Sequence, residues 1–166
     1  MDATSQSEPA PLKNRTTAER TSDRELVVRR TFNAPPRIVF EAWTKPELFQ
    51  RWWVPKSTGV TLLTCELDVR SGGNYRLVFA HGDSPPMEFF GRYIEVIPPS
   101  RIVWTNDEAG GAGPITTVTF EEKGSQTLLV IHDLYPSKEA LEAALSSGAC
   151  DAMPETLDQL DALLRV

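Results

Sequence analysis

The sequence predicts an α+β domain in which a curved antiparallel sheet surrounds a C-terminal helical segment. From Val60 to Leu134, runs of alternating apolar and polar residues are separated by short turns containing Gly or Pro, a pattern typical of consecutive antiparallel strands. From Ser137 to Val166, apolar residues recur every three or four positions, as on one face of a helix. The stripe consists of Leu141, Leu145, Ala149, Met153, Leu157, Leu160 and Leu164. A helix that follows a run of strands favours a sheet curled round that helix, with room for a cavity between them.

Length and composition indicate one globular domain that binds neither nucleic acid nor membrane. The chain has 166 residues, and its 17 basic and 23 acidic residues give a formal charge of -6, whereas nucleic acids and anionic membranes are bound mainly through Lys and Arg. No apolar run approaches the roughly 20 residues that span a bilayer. Residues 1–23 also lack the apolar segment of a secretory signal, so the cytoplasm is the expected location. Cys65 and Cys150 are expected as reduced, buried thiols, although a disulfide between them stays open.

The N-terminal part of the chain divides into an arm and the start of the domain. Residues 1–23 are rich in Ser, Thr, Pro and charge, which predicts a flexible arm, and residues 24–166 are expected to form the single domain. Glu25–Phe32 alternates as a strand does. Pro35 or Pro36 then opens a helix that runs through Trp43, because a proline costs little at the first helical position.

A second short helix and the rest of the sheet follow. Thr44 and Glu47 have the spacing of a capping box, which predicts a helix that ends before Pro55. Further strands are predicted at Val60–Val69, Asn74–His81, Met87–Ile97, Arg101–Thr105, Pro114–Glu122 and Gln126–Leu134. With the first strand they make a sheet of about six to seven strands. Between them, Gly72 and Gly73 indicate a turn that needs positive φ, and the Gly-rich segment 108–113 is expected as a loop.

The C-terminal stripe is not expected to be one straight helix. Ser137 is a suitable N-cap, but Gly148 and Pro154 fall inside the pattern, and an interior Pro costs about 3 kcal/mol unless the helix bends. We therefore predict a short helix near residues 137–146 and a longer one through Arg165, with a break between Gly148 and Pro154. The second helix should provide most of the contact with the sheet.

Several motifs in this order resemble those of a known superfamily. They are Phe32–Pro36, Val39–Trp43, Lys45–Glu47, Trp52–Pro55, Asp68–Arg76, Gly91–Pro99, Arg101–Thr105 and Leu157–Leu164. From Glu25 to Val166 the chain is similar to the START and birch-pollen-allergen superfamily, which has the helix-grip fold. It is most similar to the branch that resembles the activator of the ninety-kilodalton heat-shock protein ATPase. The resemblance implies a hydrophobic ligand held between sheet and helix, although some members are cyclases or hydrolases and the namesake of the branch is a co-chaperone.

Aromatic residues on the alternating strands predict the contacts of such a ligand. Mostly apolar pockets with one or two polar groups are typical of small-molecule sites. The candidate ligand-binding residues are Trp52, Trp53, Tyr75, Phe79, Phe89, Tyr93, Trp104, Met153 and Leu157. Two alternatives stay open: the paired tryptophans can serve only as core anchors, and the core can be packed without a void. No cofactor and no metal are expected, because His81 and His132 have no further ligands at metal spacing.

Binding of an unidentified small hydrophobic or aromatic molecule is thus the predicted function, for a monomer or homodimer. A chaperone-interacting module is the first alternative, and a cyclase- or hydrolase-like enzyme is the second. We assign no catalytic residue, because strand alternation puts His132 and Asp133 on opposite faces and the sequence has no G-x-S-x-G motif. An enzyme would have to recruit Glu95, His132 or Tyr93 as acid or base, so we expect a binding protein rather than an enzyme.

Overall fold

One antiparallel sheet of eight strands dominates the computed structural model, which describes residues 16–107, 113–147 and 153–164. The strands are β1 (Thr17–Arg20), β2 (Glu25–Phe32), β3 (Thr61–Leu67), β4 (Asn74–Ala80), β5 (Met87–Ile97), β6 (Arg101–Thr105), β7 (Ile115–Lys123) and β8 (Gln126–Leu134). Their order is β1-β2-β8-β7-β6-β5-β4-β3, so β3 to β8 form the predicted meander and β2 returns to pair with β8. The predicted α+β class with an antiparallel sheet is confirmed, and the sheet has more strands than expected.

Four helices complete the described part of the chain. They are α1 (Pro36–Thr44), α2 (Pro46–Phe49), α3 (Lys138–Ser146) and α4 (Met153–Leu164), with a 3-10 turn at Lys56–Thr58. None of the helices in the described residues is long and apolar enough to cross a membrane. The main core lies between the inner face of the sheet and helices α1, α2 and α4.

Strand β1 is the additional strand, and it lies inside the predicted arm. All four of its residues are exposed, and it pairs with β2 from Thr17 opposite Arg29 to Arg20 opposite Leu26. Glu19 also contacts the Arg29 guanidinium at 3.3 Å. The sequence did not predict this strand because backbone hydrogen bonds, rather than buried side chains, hold it in place, and these leave no apolar alternation.

Helix α1 begins at Pro36 as predicted, but the predicted capping box after it is wrong. Thr44 is the last residue of α1, and its hydroxyl donates to the Phe40 carbonyl oxygen at 3.0 Å. Lys45 is therefore the N-cap of α2, which has no side-chain cap. The spacing of Thr44 and Glu47 fits a capping box, but a Thr can also bond backward along a helix that it ends.

The C-terminal segment forms two helices, as predicted. The Ser137 hydroxyl accepts the Ala140 N–H at 3.0 Å and caps α3. Leu141 on α3 is buried in a small separate cluster, whereas Leu157 and Leu160 on α4 lie in the main core. Helix α4 is thus the one that the sheet grips. The predicted break falls on residues 148–152, outside the described residues.

A buried arginine joins α4 to the sheet. Arg30 on β2 is 5% exposed, and its Nη1 donates to Asp158 Oδ1 at 2.5 Å while Nη2 lies 3.5 Å from Asp161 Oδ2. A buried cation needs such partners, because its desolvation penalty is several kcal/mol. These pairs fix the position of α4 against β2.

Candidate functional site

A cavity of about 310 Å³ lies between helices α1 and α2 and the inner face of β3 to β6. We call it the first chamber. It is lined by Trp43, Phe49, Trp53, Leu67, Tyr75, Leu77, Phe79, Phe89, Tyr93, Ile102, Trp104 and Asn106. Apart from one amide and two phenol groups, the lining is aromatic or aliphatic, as in sites for small apolar molecules. The helical wall comes from α1 and α2 rather than from the C-terminal helix that the sequence predicted.

The alternation of β4 and β5 points their large side chains into this chamber. Tyr75, Leu77 and Phe79 share the inner face of β4, and Phe89 lies opposite Leu77 on β5. Gly91 is opposite Tyr75, where a Cβ atom would lie 2.2 Å from the Thr105 carbonyl oxygen and 2.8 Å from the Tyr75 ring. Only glycine therefore permits this close approach of ring and strand.

A second chamber of about 480 Å³ adjoins the first on the side of β2, β7 and β8. Its described lining is Thr16, Ala18, Leu26, Val28, Trp43, Trp53, Trp104, Asn106, Pro114, Thr116, Ile131, Asp133, Tyr135, Leu145, Met153 and Pro154. Trp43, Trp53, Trp104 and Asn106 line both chambers. The cavity is therefore two compartments with a common wall of three indoles and one amide.

In the common wall, the Trp43 indole packs against the other two. The Trp43 ring centroid lies 5.8 Å from that of Trp53 and 6.0 Å from that of Trp104. Trp43 is 3% exposed, and its indole N–H has no hydrogen-bond acceptor among the described residues. Behind it, Trp52 is fully buried and donates its indole N–H to the Ala42 carbonyl oxygen at 2.9 Å. Trp52 thus holds the wall in place without lining it.

Polar side chains form one hydrogen-bonded chain across the floor of both chambers. The Tyr75 hydroxyl donates to the Thr105 carbonyl oxygen at 2.7 Å and lies 3.3 Å from Asn106 Oδ1. Asn106 Nδ2 donates to Thr116 Oγ1 at 3.1 Å. The Thr116 hydroxyl then donates to Asp133 Oδ1 at 2.6 Å. Burial raises the pKa of the Asp133 carboxyl, although the bond from Thr116 and the nearby His132 oppose that change. The chain ends on the one acidic side chain in the described lining.

The buried phenol of Tyr93 and the half-buried thiol of Cys65 have raised pKa values. Burial raises the pKa of the Tyr93 phenol, with the neighbouring Cys65 and Asp68 adding to the change. Burial alone raises the pKa of the half-buried Cys65 thiol to about 11. Both groups are therefore neutral near pH 7, and Cys65 is poorly suited to act as a nucleophile. Cys150 lies outside the described residues.

Side chains of α4 hold the loop that carries Trp53. Gln159 Nε2 donates to the carbonyl oxygens of Trp52 and Val54, both at 2.9 Å, and Gln159 Oε1 accepts the Lys56 N–H at 2.9 Å. One residue of the gripped helix therefore fixes the backbone on both sides of Trp53. The position of this indole in the common wall depends on that contact.

The structure brings most of the predicted contact residues together. Those that line the first chamber are Trp53, Tyr75, Phe79, Phe89, Tyr93 and Trp104. Met153 lines the second chamber. Trp52 and Leu157 are fully buried in the core and line neither chamber.

Sequence reasoning missed about half of the first chamber's lining. The missed residues are Trp43, Phe49, Leu67, Leu77, Ile102 and Asn106. The apolar members of this set carry the same signal as any core residue, so nothing in the pattern separates lining from packing. Asn106 had a usable signal, because it directly follows the predicted strand Arg101–Thr105 and such pockets contain a few polar groups.

The groups considered for acid–base chemistry lie mostly elsewhere. Glu95 bonds to Arg101 at 2.8 Å and is nearly half exposed. His132 bonds to Glu25 at 2.8 Å, and Asp133 lines the second chamber, so the predicted placement of these neighbours on opposite faces is correct. Of the three candidates, only Tyr93 lines a chamber. In the described ranges no cluster of three or more His, Cys, Asp or Glu could hold a metal ion.

Comparisons with solved structures place this architecture among single-domain bacterial proteins. A protein of Rhodobacter sphaeroides has a TM-score of 0.82 and 25% identity, covering 90% of this chain and 97% of its own. A protein of Mycobacterium smegmatis has a TM-score of 0.77 and 23% identity, and the match covers 90% of this chain and 98% of that protein. A protein of Staphylococcus epidermidis has a TM-score of 0.75 and 27% identity, and the match covers 90% of this chain and 93% of that protein. Among proteins with curated descriptions, none matches significantly. The family model described as Activator of Hsp90 ATPase homolog 1-like protein matches residues 33–165.

Proposed function

Because the chain belongs to the Activator of Hsp90 ATPase homolog 1-like family, we propose that it binds a small hydrophobic or aromatic molecule in the two chambers between sheet and helices. The observation that carries the proposal is the first chamber, with its volume of about 310 Å³ and its aromatic lining. Ligand sites typically measure about 300–1,000 Å³ and combine an apolar lining with few polar groups. The proposed location is the cytoplasm.

The lining also explains how affinity would arise without a charged partner. Each aromatic side chain presents a large apolar area, and ring pairs add about 0.5–1.5 kcal/mol beyond area burial. Phe79 and Phe89 already pair at 5.2 Å, and Tyr75 and Tyr93 at 5.7 Å, so these rings are held in place before a ligand enters. A preformed site loses little free energy to ordering. A flat aromatic molecule fits this arrangement.

A neutral fluorescent probe, N-phenyl-1-naphthylamine, tests the proposal. The parent chain should bind it, and Leu77→Phe should weaken binding about tenfold, because a larger side chain then fills part of the first chamber. Leu63→Phe is the matched control, because Leu63 is 57% exposed on the edge strand β3, and it should bind as the parent does. Equal affinity of parent and Leu77→Phe, with both variants folded, would contradict the proposal.

A second candidate function is stimulation of a chaperone ATPase, which the description of the matching family favours. Three apolar side chains on β3 and β5 are available for protein contact, because Leu63, Phe90 and Ile94 are 57%, 39% and 50% exposed. Replacement of all three by Ser should abolish stimulation of purified Hsp90 ATPase turnover. Absence of any stimulation by the parent chain would reject this candidate.

A further inference from the structure

The second chamber has a mostly apolar lining with a few polar side chains, one of which is a carboxyl group. Its described lining contains Asp133 but no Lys, Arg or His. Asp133 is half-buried. A carboxylate that is withdrawn from water without a cation is unfavourable, and this desolvation raises the pKa of the group. A bound cation would offset that penalty.

Strand register places this carboxyl opposite the indoles of the common wall. Trp104 is paired with Thr116 across β6 and β7, and Thr116 is paired with Asp133 across β7 and β8, so the three residues lie in one row on the inner face. Two strand spacings separate the ends of the row by roughly 10 Å between Cα atoms. Thr116, between them, also lines the second chamber.

The carboxyl also keeps an oxygen for a ligand. Asp133 Oδ1 accepts the Thr116 hydroxyl at 2.6 Å, and in the described part of the chain Asp133 Oδ2 has no hydrogen-bond partner. The bond from Thr116 fixes the carboxyl plane, as positioning bonds do in preorganised sites. The Asp133 carboxyl, which lines the chamber, therefore has one oxygen available for a donor or a cation.

The indoles supply the second half of a cation site. The rings of Trp53 and Trp104 lie 5.8 Å and 6.0 Å from that of Trp43, and all three line the second chamber. Cations are attracted to the faces of aromatic rings, most strongly to Trp, and cages of such rings recognise alkylated ammonium groups. A carboxylate opposite a tryptophan cluster favours this ligand class over an anion or a neutral hydrocarbon.

We propose that the second chamber binds an organic ammonium group, with the Asp133 carboxylate as counter-charge and the indoles of Trp43, Trp53 and Trp104 as its walls. The apolar or aromatic body of the same ligand then occupies the first chamber, which the common wall adjoins. This inference rests on the proposed function and narrows it to amines and quaternary ammonium compounds that carry an apolar group.

A pair of probes with the same shape and different charge tests the proposal. Benzyltrimethylammonium and its neutral isostere neopentylbenzene each compete with N-phenyl-1-naphthylamine, and the loss of probe fluorescence gives their affinities. The parent chain should bind the cation about tenfold more tightly than the isostere. Asp133→Asn, which retains a hydrogen-bonding side chain for Thr116, should remove that preference. Trp53→Leu should weaken binding of the cation more than binding of the isostere.

The control and the contrary outcomes separate this inference from the function on which it rests. Glu121→Gln makes the same change of charge at an exposed position on β7 and should keep the preference. If neopentylbenzene binds the parent as tightly as the cation, or if Asp133→Asn keeps the preference, the ammonium site is rejected and the hydrophobic cavity stands. If neither compound displaces the bound probe, the ammonium site is rejected as well. If N-phenyl-1-naphthylamine itself fails to bind the parent chain, both the ammonium site and the proposed function are rejected.

Discussion

Gln159 offers a direct test of how α4 supports the cavity wall. Gln159→Leu keeps the size of the side chain and removes its three hydrogen bonds to the backbone around Trp53. Each bond contributes about 0.5–1.5 kcal/mol net. Because the Gln159 side chain is only half-buried, water can replace part of these hydrogen bonds. We therefore expect the free energy of unfolding to fall by about 2 kcal/mol, which lies in the lower half of the range for three such bonds.

Urea unfolding measures that loss, and amide exchange locates it. The Lys56 N–H loses its acceptor in Gln159→Leu and should exchange faster. Gln50→Leu is the matched control, because Gln50 is exposed, and it should change stability by less than about 0.5 kcal/mol. The reasoning is refuted if Gln159→Leu unfolds within about 0.5 kcal/mol of the parent chain with Lys56 exchange unchanged.

Three further substitutions test the other supports of the fold. Arg30→Met should lower the free energy of unfolding in urea by about 3 kcal/mol because it breaks the buried ion pair with Asp161, whereas Asp158→Asn, which changes a largely exposed partner, should lower it by less than about 1 kcal/mol. Gly91→Ala should cost about 3 kcal/mol because its Cβ would collide with the next strand, whereas Gly124→Ala, in an open turn at φ 65°, should cost about 1 kcal/mol. Asp133→Asn should be more stable than the parent at pH 7. The folded-state pKa of Asp133 is raised, so the penalty for ionising this carboxyl in the folded protein is present at pH values above its unfolded-state pKa of 3.8. The stability advantage of Asp133→Asn should therefore disappear when urea midpoints are measured below pH 3.8.

The strands of the sheet could be predicted well because the sequence patterns that indicate a strand lie within the strand and its flanking turns. Met87–Ile97, Arg101–Thr105 and Gln126–Leu134 have the predicted bounds, since alternation and turn residues mark strand ends directly. Strand β1 was missed because its exposed side chains contribute no pattern. Thr44 was misassigned because one residue type can serve either end of a helix.

The candidate site could be predicted only in part, because a cavity is a property of packing in three dimensions. Alternation identified inward-facing residues such as Tyr75 and Phe89, and both line the first chamber. It could not tell that Trp52 would be covered completely while Trp53 would remain at the wall. The hydrogen bonds that join Asn106 to Thr116 cross strands that are distant in the sequence, so only the assembled sheet reveals them.

Because the common wall contains three tryptophans, intrinsic fluorescence should report ligand binding in either chamber. Of the four tryptophans in the sequence, Trp43, Trp53 and Trp104 line both chambers, whereas Trp52 is sealed in the core with its indole N–H bonded. A molecule that enters either compartment therefore changes the surroundings of three of the four tryptophans. Intrinsic fluorescence can thus be used to screen unlabelled compounds against the unmodified chain.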